Sequence, residues 1–431
     1  MKALYWFRND LRLTDNQGLA KCLDKCEEVI PIYIIDERQF QPTQTGHKRT
    51  AFFRTKFLLE SLEDLKTNLR KLGSDLMIKT GIPEEELPKI ALEYDLDVVY
   101  CSKEVTTEEV EMERLLEAAL NKVEKHLLTT WQSTLYHEED IPWPIHRLPE
   151  VFTHFRKEAE KESTVRPSID APTHLPAFST EYGDVPAIES LGITPKPLLS
   201  KTNYPFSGGE TSGMARLHYY LFESDLISTY KATRNGLIGK DYSSKFSAWL
   251  SLGCLSPRTI YEEVKKYERE RKKNQSTYWL VFELIWRDYF RFVAKKHGNK
   301  LFLLKGIKNE DPQLKNDLPA FEKWCKGETG VPFIDANMAE LNQTGFMSNR
   351  GRQNVASFLV NDLGVNWTWG ASYFESLLVD YDPCSNWGNW AYVAGVGNDP
   401  RKDRYFNIEA QAERYDPKGA YVNSWLGVSS F

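Results

Sequence analysis

Over the first 131 residues, short apolar runs alternate with longer amphipathic stretches. Ala3–Phe7, Val29–Ile35, Asp75–Lys79, Asp97–Cys101 and Leu127–Trp131 read as strands. Between them, Arg49–Leu72, Pro83–Glu93 and Thr106–Lys125 carry apolar positions at helical spacing among many Glu, Lys and Arg. Strands and helices in alternation predict a parallel α/β sheet. No GxGxxG or P-loop follows the first strand, which argues against a standard dinucleotide or nucleoside-triphosphate phosphate site there. From about Leu148 to Phe206 the pattern breaks. Pro167, Pro172, Pro176, Pro186, Pro195, Pro197 and Pro205 predict a long connector laid over the surface, without helix. Beyond Gly209 the spacing is helical almost to the end, with helices expected over Pro257–Lys273, Ser276–Lys296, Phe333–Thr344, Asn349–Leu363 and Gly370–Leu378. The expected architecture is an α/β parallel-sheet domain (1–132), a Pro-rich linker (133–208) and a larger all-α C-terminal domain (209–431).

One stretch follows neither period. Gly345–Arg401 holds four of the twelve tryptophans, Trp367, Trp369, Trp387 and Trp390, among Arg350, Arg352, Asp380, Asp382 and repeated asparagines. Interleaved charges, amides and indoles, with Gly388, Gly395 and Gly397 between them, suit a pocket for a large, flat, polar-edged molecule.

Composition narrows the class. With 431 residues, two domains are expected. Apolar residues at 41% and charged residues at 27% describe a globular chain. No apolar run is long enough for a membrane helix and no signal peptide opens the chain, so a cytoplasmic, monomeric protein is expected. The six cysteines are scattered without CxxC pairs, which argues against a zinc or iron–sulfur site and for reduced thiols; no metal is expected.

The net charge of −6 hides a gradient. Residues 81–140 hold 16 Asp/Glu against 5 Lys/Arg, and residues 230–300 hold 16 Lys/Arg against 7 Asp/Glu. That asymmetry reads either as a basic working face or as two solvated helix surfaces.

Three clusters carry candidate chemistry. Ser243, Ser244 and Ser247 surround Lys245 just ahead of a helix, after Tyr230. Hydroxyls, free N–H groups and a cation suit phosphate oxygens, although serines there also read as helix caps. Glu283 and Trp286 share a helix face, with Arg287 and Phe290 close by. The ring can stack a base while the acid bonds its edge; a core indole beside a solvated acid is the plainer reading. Asn349, Arg352 and Gln353 fall on one face, and Asp380 or Asp382 near a buried pocket needs a cation, for which Arg352 is the natural partner. Taken alone, the tryptophan cluster reads as core.

The segments YWFRNDLRLTDN, YKATRNGLIGKDYSSKFSAWL, STYWLVFELIWRDYFRF, TGVPFIDANMAELNQTGFMSNRGRQNVASFL, DYDPCSNWGNWAYVAGVGNDPR and DPKGAYVNSWL, in this order, resemble the photolyase/cryptochrome family and most of all its cryptochrome-DASH branch. The resemblance implies a U-shaped FAD in the α-domain. Tyr230, Ser243, Ser244, Lys245, Phe246 and Ser247 would lie along its phosphates and sugar. Asn349, Arg352, Asp380 and Asp382 would meet the flavin end, Asn386 would face the ring's reactive nitrogen, and Trp286 and Arg287 count among the cofactor residues. Family members that repair DNA pass an electron in light from reduced FAD to a cyclobutane pyrimidine dimer flipped out of its strand. Here Glu283 would hydrogen-bond the dimer's carbonyl edge as charge develops, with Trp286, Gln353 and Tyr392 around the cavity. Tyr392 and Gln353 are polar where duplex-repairing photolyases are more apolar, which with the branch's habits implies dimers in single-stranded or looped DNA. Trp390 and Trp367 match the first two members of an electron relay, but Leu314 stands at its usual third tryptophan. Glu150 falls at the branch's contact for a 5,10-methenyltetrahydrofolate antenna.

Two other functions compete. A blue-light photoreceptor would signal through flavin redox change, and the short sequence after Trp425 argues against a tail-based output. A non-catalytic nucleic-acid binder would show salt-sensitive affinity indifferent to the lesion.

Overall fold

The computed structural model describes residues 1–176, 178–197, 206–400 and 404–427. Pro205 of the connector and Arg401 of the tryptophan-rich stretch lie outside the described residues.

Five strands, β1 (Lys2–Phe7), β2 (Glu28–Asp36), β3 (Met77–Gly81), β4 (Val98–Ser102) and β5 (His126–Thr130), form one parallel sheet in the order β3-β2-β1-β4-β5. The period of two is visible in the central strand. Ala3, Tyr5 and Phe7 join the core that continues into the helical half, whereas Leu4 and Trp6 join the core beneath the helices Pro83–Glu93 and Thr107–Asn121. The order reverses between β1 and β4, which leaves a crevice at the carboxyl ends of those two strands.

The connector corrects the expectation of a helix-free strap. Its first part forms the helix Phe152–Glu162, because the prolines that would break it begin only at Pro167. Phe152, Phe155 and Ala159 bury one face of that helix against Gln275–His297, the long axis of the helical half. Asn274 starts this axis with a capping box through Thr277, which satisfies N–H groups at the helix start. Two predicted helices also differ at their ends. Asn349–Ser357 passes into a wider π turn at Phe358–Asp362, and the helix expected over Gly370–Leu378 begins at Trp367.

Buried polar contacts tie the two halves together. Asp288, on the long axis, accepts the backbone N–H groups of Leu135 (2.9 Å) and Tyr136 (2.8 Å). Glu210 accepts those of Leu13 (2.7 Å) and Thr14 (2.9 Å). Arg258 Nε donates to Asp15 at 3.0 Å, and both side chains are buried. Each of these three carboxylates is met by hydrogen-bond donors, which offsets part of the cost of burying it.

Candidate functional site

A cavity of about 260 Å³ opens in the helical half. One wall is the loop Tyr242–Phe246 and the helix that follows it, Ser247–Ser251. Arg216 shapes this loop from behind, donating to the carbonyls of Lys240 (3.1 Å), Ser243 (3.2 Å) and Ser244 (3.1 Å) and to Asp241 (2.9 Å). Lys245 takes a left-handed conformation (φ 60°), and its ammonium lies over the rings of Tyr242 (3.6 Å) and Phe346 (4.3 Å). Burial pushes that ammonium well below its usual range. Arg287 lines the same cavity and donates to the carbonyls of Ser133 and Leu250. Burial and the neighbouring Arg291 push its guanidinium down, so an anion beside it would relieve both costs.

A second hollow of about 100 Å³ shares Asn349, Arg352, Asp380, Asp382 and Ser385 with the first, so the two are continuous. Arg352 Nη2 binds both oxygens of Asp380, at 3.0 and 2.8 Å, the partner that charge accounting assigned to it. Asp382 caps the helix Pro383–Val393, accepting the Ser385 N–H at 2.7 Å, and meets Arg291 at 3.2 Å. Burial raises its pKa, but Arg291 and Arg287 outweigh that and hold it below the usual carboxylate range. Asn386 donates its amide to the Ala371 carbonyl at 2.9 Å, which fixes the side chain with its oxygen as the remaining acceptor. Trp390 closes the hollow against Gly370, where a Cβ would lie 2.3 Å from the indole.

Glu283 reaches the larger cavity from the long axis and pairs with Arg234, a partner the sequence reading missed. Burial raises the Glu283 pKa and Arg234 pulls it back, with a net rise. Gln353 and Tyr392 line the smaller hollow. Gln353 accepts from Arg350 at 2.9 Å, and the Arg404 guanidinium lies 4.3 Å from the Tyr392 ring.

Tyr230, the Ser243–Ser247 residues, Glu283, Arg287, Asn349, Arg352, Gln353, Asp380, Asp382, Asn386, Trp390 and Tyr392 thus converge on one continuous hollow. Three predicted residues stand apart from its walls. Trp286 stacks on Phe152, centroids 3.5 Å and planes 13° apart, and touches Tyr392 edge-on at 6.4 Å. Trp367 is fully buried beside Trp387, at 5.8 Å. Glu150 lies on the surface with Lys296, His297 and Asn398.

Hydroxyls and cations at one end, with a fixed arginine–aspartate pair and an oriented amide at the other, are the donor set a flavin dinucleotide needs.

A separate cavity of about 340 Å³ lies between the halves, at the carboxyl ends of β1 and β2. Arg8, Asn9, Tyr33 and Asp36 from the sheet domain face Glu375, Tyr381 and Trp387 from the helical one. No motif marked it in the sequence.

Comparison with known proteins agrees with this geometry. The family described as DNA photolyase matches residues 3–177, and the FAD binding domain of DNA photolyase matches residues 279–429. A cryptochrome DASH from Gloeobacter violaceus is 51% identical over 424 residues, covering 98% of this chain and 85% of that relative. The solved Synechocystis cryptochrome superposes with a TM-score of 0.96 at 48% identity, over 99% of this chain and 88% of that one. An archaeal photolyase from Sulfolobus tokodaii with two FAD molecules gives a TM-score of 0.82 at 28% identity, over 99% of this chain and 90% of that one. Among the described residues, no helix is long and apolar enough to cross a membrane. The chain belongs to the photolyase/cryptochrome family, in its cryptochrome DASH branch, and its cofactor is FAD.

Proposed function

We propose that the protein is a light-driven lyase that splits cyclobutane pyrimidine dimers, preferentially in single-stranded or looped DNA. The observation that carries this reading is Glu283, a carboxyl with a raised pKa on the wall of the flavin cavity. Bound reduced FAD supplies the electron. The chain's own residues present the dimer to it. Glu283, whose pKa burial raises, donates in its protonated form to the dimer's carbonyl edge as negative charge grows there, and Arg234 fixes the carboxyl's position. Gln353 and Tyr392 supply polar groups for a dimer already unstacked, so the free energy of extraction from a duplex, a few kcal/mol, is not recovered from apolar packing. Arg234, Arg350 and Arg404 gather beside these residues and suit the flanking phosphates. Trp390, against the flavin end, is read as the first electron donor of the relay.

The test is blue-light repair of a dimer-bearing single strand by the reduced, FAD-loaded protein. Loss of dimers in light and none in darkness supports the reading, and no light-dependent loss overturns it. Glu150 is proposed as a contact for a 5,10-methenyltetrahydrofolate antenna, because its exposed carboxylate is already oriented by Lys296 and Asn398. A near-ultraviolet band separate from the flavin's, lost in Glu150→Ala, checks it.

A further inference from the structure

At position 314, where the family's electron relay has its solvent-side tryptophan, this chain has a leucine packed on the core. The ring contacts around Trp390 offer another way out. Among the described residues its ring contacts are Phe374 at 5.1 Å and Trp324 at 6.1 Å, the latter edge-on at 76°. Trp324 is fully buried and meets Tyr373 at 5.8 Å. Tyr373 is half-buried and donates its hydroxyl to Asn342 Oδ1 at 2.6 Å. By contrast, the ring contact of Trp367 is Trp387, which leads to the cavity between the domains. Among the described residues, Trp369 is joined to Trp324 only through the ring of Phe321, which is far harder to oxidise.

We propose that electrons reach the flavin during photoreduction by the route Tyr373 to Trp324 to Trp390. This rests on the reading of Trp390 as the first donor. One electron passes from the Trp390 indole to the photoexcited flavin, one from Trp324 to oxidised Trp390, and one from Tyr373 to oxidised Trp324. The Trp324 N–H donates to the Val355 carbonyl at 3.0 Å. A carbonyl is no base, so oxidised Trp324 keeps its proton and its oxidising strength. The Tyr373 phenol loses its proton to water as it gives up its electron. A thiol in solution then returns one electron and one proton to it, which closes the cycle. An oxidised phenol is a very strong acid, so the proton leaves as the electron does. That step is therefore slower in heavy water.

The experiment is blue-light photoreduction of the FAD-loaded full chain with dithiothreitol, followed by loss of the oxidised-flavin band and by the spectrum of the light-induced radical. Trp324→Phe falls to the rate of Trp390→Phe, and wild type shows a tyrosyl radical that Tyr373→Phe abolishes. Flavin content is measured for each variant, and Tyr373→Phe, which removes one half-buried hydroxyl, keeps the test open if Trp324→Phe does not fold. Wild-type rates in both Trp324→Phe and Tyr373→Phe, or a wild-type radical that is tryptophanyl and vanishes in Trp369→Phe, overturn the route. Trp390→Phe at the wild-type rate breaks the underlying reading instead.

Discussion

The two large cavities differ in how their charges are settled. In the helical half, Arg352 faces Asp380, Glu283 faces Arg234 and Asp382 faces Arg291, all within one domain. The cavity between the halves draws its walls from both domains, and one of its cations is left to carbonyls. Arg54 donates to the backbone oxygens of Arg49 (3.4 Å) and Glu375 (3.0 Å) and lies 4.4 Å from the Tyr381 ring. Burial pushes that guanidinium down. The first cavity is thus organised before its ligand arrives, as an electrostatically tuned site should be. The second is a consequence of docking, and its charge balance is incomplete.

Arg291 ties the flavin cavity to the sheet domain, because it binds Glu104 of the sheet domain at 2.9 Å and Asp382 of the flavin cavity at 3.2 Å. Arg291→Met leaves two buried carboxylates without their cation and is expected to cost about 3–5 kcal/mol. Urea unfolding with and without FAD measures it. A loss below about 1 kcal/mol would mean that the domains dock without this bridge.

Glu283→Gln tests the organised cavity alone. Repair by the reduced enzyme is expected to fall by roughly 10²-fold, the usual loss when a group aimed at developing charge is altered. Flavin content and photoreduction remain at wild-type level. Unchanged repair would remove Glu283 from the chemistry. Photoreduction without any repair, in wild type as well, would favour a photoreceptor.

Arg54→Met addresses the other side of the contrast. A methionine of similar length replaces a buried cation with no carboxylate partner among the described residues, so stability changes by less than about 1 kcal/mol. A loss as large as that of Arg291→Met would show that Arg54 is compensated as fully as the flavin-site charges.

How legible these regions were follows from the range of their contacts. The strands showed themselves because each is a short apolar run, a local signal: in β1, Ala3, Tyr5 and Phe7 enter one core and Leu4 and Trp6 the other. The helix Phe152–Glu162 has apolar spacing of the ordinary kind, but the prolines downstream drew the whole segment into one connector. Arg234 escaped because its partner lies 49 residues away, and Arg216 because it works through backbone carbonyls. The Ser243–Ser247 phosphate cradle and the Arg352–Asp380 pair were legible as local chemistry, but that their ligand is a flavin came from resemblance. The cavity between the domains was invisible, because its walls come from strand ends and helices with no shared motif.

Arg234 gives the smallest and most specific effect. Burial raises the Glu283 pKa, and the Arg234 guanidinium is the main influence pulling it back. Arg234→Met removes that pull, so the pKa rises further. If Glu283 acts as a hydrogen-bond donor, its protonated form is the competent one, and repair is lost as pH rises through that pKa. The alkaline limb of the repair profile therefore moves to higher pH in the variant, whatever happens to the maximal rate. Lys at this position restores a charge without the guanidinium's fork, so Arg234→Lys should move the limb part of the way back. A limb that stays in place would assign it to another group. Repair lost instead as pH falls, with that acid limb moving to higher pH in Arg234→Met, would mean that the carboxylate, accepting from the dimer's N–H, is the working form.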